Sequence, residues 1–292
     1  MTELQTTPAP TADQPPVQRE VRVAGCRPMG AYVELTLEAP EIAERAQPGQ
    51  FVAFAVGGPT SAMLLRRSIA IAGAAGSSVT VVVAPHGVGS TWLAARQVGD
   101  VLDVVGPLGR PYPLPEPGAV ALLVGGGYGA AALVGLAELL RSRGDAVTAV
   151  AGAATAEKLC SLDELGAVAD LHVLTDDGSA GRQGMVTLAV GELLATADVV
   201  YACGPMPMLR AVAAAATAAG VPSYVAVEEA MACGIGVCMT CVLPVVGADG
   251  RSRFARSCTE GPVFGGDRVR FADVGRLPGD LVGADAMGVV LP

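Results

Sequence analysis

The hydrophobic pattern changes character twice along the chain. From residue 18 to 116, short runs such as QREVRVAGCRPM (18–29), AYVELTLEA (31–39), QFVAFAV (50–56) and SSVTVVVAP (77–85) alternate apolar and polar positions between Gly- and Pro-rich breaks. A period of two turns one face of each run inward, and a succession of such runs predicts an antiparallel sheet or barrel. LPEPG (114–118) reads as a linker, and the second segment is expected over 117–222. There, continuous apolar runs alternate with helical periodicity: ALLV, GGGYG, AAALVGLAELLRSRG, AVTAVAG, AEKLCSLDEL, DLHVLTDDG, TLAVGELLA, ADVVYACG and PMPMLRAVAAAATAAG. Strands that alternate with helices predict a doubly wound parallel sheet. In this reading one helix follows GGGYG directly, and AEKLCSLDEL is a single helix. Periodicity is weak from 223 to 272. Residues 1–17, rich in Pro, Thr and Ala, are expected to be a disordered tail, and 273–292 a C-terminal tail.

Composition narrows the partners. With 51% hydrophobic residues, the 292-residue chain can bury a sizeable core, and its net charge of −9 argues against nucleic acid or an anionic membrane surface. The stretch 119–137 is uncharged and near membrane-spanning length. GGGYG interrupts it, which suits a strand, a turn and a helix better. No apolar leader is visible at the start, so a cytoplasmic location is expected.

Of the 7 cysteines, Cys26, Cys160 and Cys203 are scattered. The other four, Cys233, Cys238, Cys241 and Cys258, follow the spacing C-x4-C-x2-C-x16-C. That spacing suits the four thiolates of a plant-type [2Fe–2S] cluster, and the intervening glycines let backbone N–H groups approach the sulfurs. Zinc sites more often pair two C-x2–4-C units. Spacing alone leaves both metals open.

Other stretches point to phosphate. GGGYG contributes Gly125, Gly126, Gly127 and Gly129 between a predicted strand and a helix, where backbone can approach a pyrophosphate. ACGPMPML places Cys203, Gly204 and Pro205 at a later strand end by the same logic. LLRRSIAIAG sets Arg66 and Arg67 in apolar surroundings, where a guanidinium fork can pair with phosphate. HGVGST (86–91) is a second candidate anion site, and GPLGRPYPLP (106–115) a rigid turn. His86 and His172 read as ordinary loop and strand residues. Asp176 and Asp177 read as capping or solvated at a strand end.

Taken in order, these motifs resemble the electron-transfer subunits of two-component dihydroorotate dehydrogenases, within the ferredoxin reductase-like superfamily. The resemblance covers nearly the whole chain. It makes Arg67-Ser68-Ile69-Ala70 the flavin signature of a barrel strand, with Ala70 in place of the usual hydroxyl residue. It makes Gly87–Leu93 the phosphate loop, with Gly89 and with Ser90 at a Thr position, and it places Val82, Val83 and Ala84 along the flavin. GPLGRPYPL matches the loop beneath the isoalloxazine. GGGYGAAAL matches the nicotinamide loop, with Ala132 in place of a proline. TDDGS, CGPMPM, EEAMACGIGVCMTC and CTEGPVF follow the family pattern, although Thr240 stands where many relatives carry glycine. The resemblance implies FAD over 18–116, NAD(H) over 117–222, a [2Fe–2S] cluster on Cys233, Cys238, Cys241 and Cys258, and an FMN-containing catalytic partner in a heterotetramer.

The implied order NADH, FAD, cluster, partner follows from chemistry. A nicotinamide gives two electrons at once, a cluster accepts one, and a flavin handles both. No catalytic residue for dihydroorotate stands out, so that site is expected on the partner. After the second strand only Lys158 is available for a 2′-phosphate, which favours NADH over NADPH. Ile235 and Met239 are candidate partner contacts. Two other readings remain: a related subunit serving a hydrogenase or a ferredoxin reductase, and a zinc- or nucleotide-binding regulatory module.

Overall fold

The computed structural model describes residues 15–58, 60–284 and 286. Residues 1–14 of the expected tail therefore lie outside the described residues. The first segment is a closed barrel of six antiparallel strands in the order β1-β2-β5-β4-β3-β6. These are β1 (Val17–Met29), β2 (Tyr32–Glu38), β3 (Phe51–Phe54), β4 (Arg67–Ala75), β5 (Ser78–Val83) and β6 (Val101–Leu108). The short helices α1 (Pro40–Ala43) and α2 (Val88–Ala94) lie between strands. The alternation has the predicted result. Val21, Val23, Leu35, Leu37, Val52, Phe54, Val79, Val81, Leu102 and Val104 point inward and are buried. Each such side chain contributes about 1.5–3 kcal/mol relative to exposure.

The second segment is a seven-stranded sheet in the order β10-β9-β8-β7-β11-β12-β15. Its strands are β7 (Val120–Gly126), β8 (Ala146–Ala153), β9 (Asp170–Thr175), β10 (Arg182–Gln183), β11 (Val199–Cys203), β12 (Ser223–Ala226) and β15 (Val263–Gly265), all parallel but β15. Helices α3 (Val134–Ser142) and α4 (Leu162–Val168) cover one face, and α5 (Val186–Leu193) and α6 (Met206–Ala219) the other. Along β7, Ala121 and Leu123 enter one core while Leu122 and Val124 enter the other. That is why a central parallel strand reads as an unbroken apolar run. The stretch 119–137 is thus strand, turn and helix, and no helix among the described residues is long and apolar enough to cross a membrane.

Two helix boundaries differ from expectation. The GGGYG loop leads into a 3-10 segment, Gly127–Leu133, and α3 begins only at Val134. AEKLCSLDEL is not one helix: a 3-10 turn at Ala156–Lys158 is separated from α4 by Ser161, which has φ 55°. The barrel meets this segment. Ala31 N–H donates to Glu157 O at 2.9 Å, so the turn after β1 docks onto this segment.

The stretch from 223 onward holds more regular structure than its periodicity suggests. Strand β12 extends the parallel sheet, and β15 returns antiparallel beside it. Between them lie the cysteines and a hairpin, β13 (Val242–Val246) and β14 (Ser252–Arg256). Residues beyond 273 pack on that hairpin: Leu281 and Ala284 are buried, and Val282 N–H donates to Ser252 O at 2.9 Å.

Candidate functional site

A cavity of about 360 Å³ lies where the barrel meets the parallel sheet. Strand β4 supplies one wall with Arg67, Ser68, Ile69 and Ala70 in succession. Val82 and Ala84 line it from the next strand and its exit, with Ser90 at the start of α2. Val83 corrects the expectation for 82–84. It is fully buried in the barrel core, because successive residues of a strand face opposite sides. The two adjacent arginines also separate. Arg67 lies against Gly89, where a Cβ would strike its guanidinium. Arg66 turns away to pair with Asp103 at 2.8 Å and to donate to backbone carbonyls of Ala53 and Asp103. Ser90 Oγ is engaged by its own loop, accepting from the His86 and Gly87 N–H groups at 2.9 and 3.0 Å. It shapes the turn ahead of α2. The 106–115 turn does not line the cavity; it docks through Arg110 N–H to Gly261 O at 2.6 Å.

The opposite wall comes from two strand ends. The strand order reverses direction between β7 and β11, and the loops that leave such a switch point flank a crevice. Gly129, Ala131, Ala132 and Cys203 line the cavity there. Gly125, Gly126, Gly127, Gly204 and Pro205 do not; Gly126, Gly204 and Pro205, with Gly129, hold the two loops together, while Gly125 faces Ala130 of its own loop and Gly127 faces Tyr32. A Cβ on Gly129 would come within 2.6 Å of Cys203 C and 2.8 Å of Gly204 N, and one on Gly204 within 2.9 Å of Gly126 Cα. A Cβ on Gly126 would meet Pro205 Cδ at 2.9 Å, and one on Gly125 would meet Ala130 Cα at 2.6 Å. Only glycine permits these approaches.

Polar groups gather at one side of the cavity: His86, Tyr128, Glu228 and Glu229. Burial raises the Glu228 carboxyl, an effect partly offset by a hydrogen bond from Tyr128. Tyr128 is raised by burial and then by the Glu228 charge. Burial, followed by Glu228, pushes the Cys203 thiol up to about 12, so it is a neutral wall and no nucleophile at neutral pH. His86 stands against the Tyr128 ring at 6.1 Å, so it belongs to the cavity and is no ordinary loop residue. Sequence reasoning also missed Tyr128, Glu228 and Met231. All three lie inside quoted motifs, and only the tertiary fold shows which way they face. Asp177 does cap: its carboxylate accepts the Ser179 N–H and hydroxyl at 3.0 and 2.6 Å.

The four clustered cysteines form two pairs. Cys241 and Cys258 are buried and in contact, packed against Phe51, Ala53 and Leu108 of the barrel. Cys238 is exposed and Cys233 half-buried. Two of the four sulfurs accept a backbone N–H: Ile235 donates to Cys233 and Cys258 to Cys241, each at 3.4 Å. Gly234 and Gly236 reach this geometry with φ of 74° and 83°, and Met239 adopts 60°. Hydrogen bonds from Thr240, side chain first and then backbone, lower the Cys238 thiol to about 6. That gives this residue a role.

The residues fit the implied groups. An apolar-walled cavity with an arginine at one end and glycines at the other suits a dinucleotide. Two thiol pairs suit a two-iron cluster, in which each iron takes two cysteines. Among the described residues no group of three or more His, Cys, Asp or Glu side chains is placed to hold a metal ion. Phe51 and Met231 belong to both places, lining the cavity and packing beside Cys241 and Cys258.

Comparison with known proteins agrees with this geometry. Residues 228–270 match the iron-sulfur cluster binding domain of dihydroorotate dehydrogenase B. The electron-transfer subunit of dihydroorotate dehydrogenase B (NAD(+)) from Bacillus caldolyticus is 40% identical over 235 residues, 79% of this chain and 90% of that protein. Its counterpart from Geobacillus sp. (strain WCH70) is 36% identical over 252 residues, 85% of this chain and 96% of that one. A chain of the NADH-dependent reduced ferredoxin–NADP oxidoreductase structure superposes with TM-score 0.78 at 29% identity, over 92% of this chain and 96% of that one. Phthalate dioxygenase reductase, at 17% identity and TM-score 0.57, over 82% of this chain and 89% of that one, shares the fold.

Proposed function

The chain belongs to the electron-transfer subunits of dihydroorotate dehydrogenase B, and from that premise we propose how its residues serve the role. It passes electrons between NAD(H) and an FMN-containing catalytic subunit, in pyrimidine biosynthesis. The observation that carries this reading is the shared wall: Phe51 and Met231 line the cavity and also pack against the buried cysteine pair.

When bound, FAD supplies the exchange between the hydride of a nicotinamide and the single-electron steps of a [2Fe–2S] cluster. Arg67 would pair with a flavin phosphate, its fork held in place by Gly89. Ile69, Ala70, Val82 and Ala84 would exclude water from one face of the ring. Gly129, Ala131 and Cys203 would leave room for a nicotinamide against the other face. Cys233, Cys238, Cys241 and Cys258 would hold the cluster, and the N–H groups of Ile235 and Cys258 would stabilise its charge. Ile235, Val237 and Met239, each at least half exposed beside Cys238, would contact the catalytic subunit in a heterotetramer. Lys158 is the one cation between β8 and α4, which favours NADH.

The test is co-purification with cofactor analysis. The chain should bring down an FMN protein of (β/α)₈ type. Alone it should reduce a dye with NADH without oxidising dihydroorotate. Turnover of dihydroorotate by the pure chain, or kcat/KM for NADPH equal to that for NADH, would overturn the corresponding part. The 29% identity to the ferredoxin–NADP oxidoreductase chain supports a second reading, in which the same electron path serves another flavoprotein. Capture of such a partner in place of the FMN protein would select it.

A further inference from the structure

Four buried side-chain atoms among the described residues lack a hydrogen-bond partner: Asp145 Oδ2, His172 Nε2, Ser257 Oγ and Thr259 Oγ1. The first two each have an opposite charge nearby, Arg143 at 3.5 Å and Asp170 at 3.6 Å. The other two are hydroxyls, and they flank Cys258. A buried hydroxyl without a partner is costly, so two of them beside one cysteine ask for an acceptor.

Their placement indicates which acceptor. Ser257 N–H donates to Cys241 O at 2.9 Å, which continues the β13–β14 ladder one pair beyond Val242 and Arg256. Residues opposite each other in such a ladder start on the same face, so the Ser257 and Cys241 side chains leave together. Ser257 has no exposed surface. Thr259 lies on the cysteine loop itself: a Cβ on Gly236 would meet its Cγ2 at 2.8 Å and its Oγ1 at 3.4 Å.

We propose that Ser257 and Thr259 are positioning residues whose hydroxyls, which reach no cysteine sulfur as they stand, donate to the inorganic sulfur that a cluster would bring beside Cys241 and Cys258, and so make the cluster easier to reduce. This rests on the [2Fe–2S] reading above. Sulfur carries more negative charge once an electron arrives, so an O–H donor binds the reduced form more strongly. Donors to sulfur are among the levers that set such potentials. The backbone N–H groups of Ile235 and Cys258 do not depend on the side chains they carry; the two hydroxyls do.

The test uses the full chain with its cluster. Ser257→Ala and Thr259→Val should each shift the reduction equilibrium against the reduced form by about tenfold, which is about 59 mV for one electron. Ser257→Thr and Thr259→Ser keep the hydroxyl and should stay within about twofold of the parent, since the bond is retained. In the unmodified protein, pulsed EPR of the reduced cluster in H2O and D2O should find hydroxyl protons coupled to it in addition to the backbone N–H protons. Unchanged potentials in variants that hold the cluster would overturn the proposal, as would the absence of hydroxyl coupling in the parent. If the variants lose the cluster, the measurement on the parent decides. If the parent binds no [2Fe–2S] cluster at all, the failure belongs to the functional reading instead.

Discussion

Two glycine-rich loops face the chemistry of this chain, and they use glycine for different reasons. At the strand ends of the parallel sheet, Gly125, Gly126 and Gly129 are there for space. A methyl group on any of them would meet neighbouring backbone or a proline ring within 3 Å. In the cysteine loop, Gly234 is there for conformation: its φ is 74°, yet an added Cβ would meet nothing closer than 3.5 Å. One loop brings two backbones together to make a wall. The other bends a single backbone so that its N–H groups face sulfur. Similar composition hides different physics, and the two respond to different substitutions.

Gly129→Val attacks space and should have the largest effect. Overpacking of this kind costs about 3 kcal/mol, at the top of its usual range. Displacing the loop by about 1 Å should lower NADH–dye reduction about a hundredfold. Urea unfolding and steady-state assays read both. Cys258→Ala should come next and separate the regions. It should abolish the cluster's visible absorbance while the chain still binds FAD and reduces a dye with NADH. Cys203→Ala should do the reverse, keeping the cluster and weakening nicotinamide turnover.

Gly234→Ala attacks conformation alone and should cost about 1–2 kcal/mol, the strain of a left-handed residue with a side chain. Gly234→Asn should cost less, because Asn tolerates that region, whereas at Gly129 Asn should be worse than Ala. If Asn and Ala rank alike at both positions, the distinction between the loops is wrong. The smallest effect belongs to Met239→Gly. Relief of left-handed strain and loss of backbone entropy nearly cancel there, leaving a change below about 1 kcal/mol in thermal unfolding.

Much of this was legible in the chain. Alternation gave the barrel, apolar runs gave the parallel strands, and C-x4-C-x2-C…C marked four residues that the fold gathers into one place. Strand-end glycines were expected to bring backbone to a pyrophosphate; in the fold Gly126 and Gly129 bring one backbone against another. What was not legible depends on contacts between segments distant in sequence. Arg66 and Arg67 look alike in LLRRSIAIAG, and only the neighbouring Asp103 separates them. Ser161 breaks an otherwise helical run by its left-handed backbone, and the turn after β1 docks on the same segment at Glu157. Val83 sits between two cavity residues and faces the other way by simple alternation, which a block reading of 82–84 overlooks. Glu228 and Tyr128 come from different strand ends, and their pairing exists only once the sheet is built.

The cysteine segment leaves the sheet after β12 and returns on β15, which lies antiparallel beside β12. Its two ends are therefore about 5 Å apart, the spacing of adjacent strands. To an engineer that is the layout of a cartridge with both contacts on one edge connector. A short turn joining Glu228 to Gly261 would keep Phe51 and Pro262 at the cavity and leave β12 and β15 paired. The result would be a smaller diaphorase with no outlet. The same seam would accept a redox module of another kind, so what the chain delivers its electrons to becomes a choice made at two adjacent strand ends.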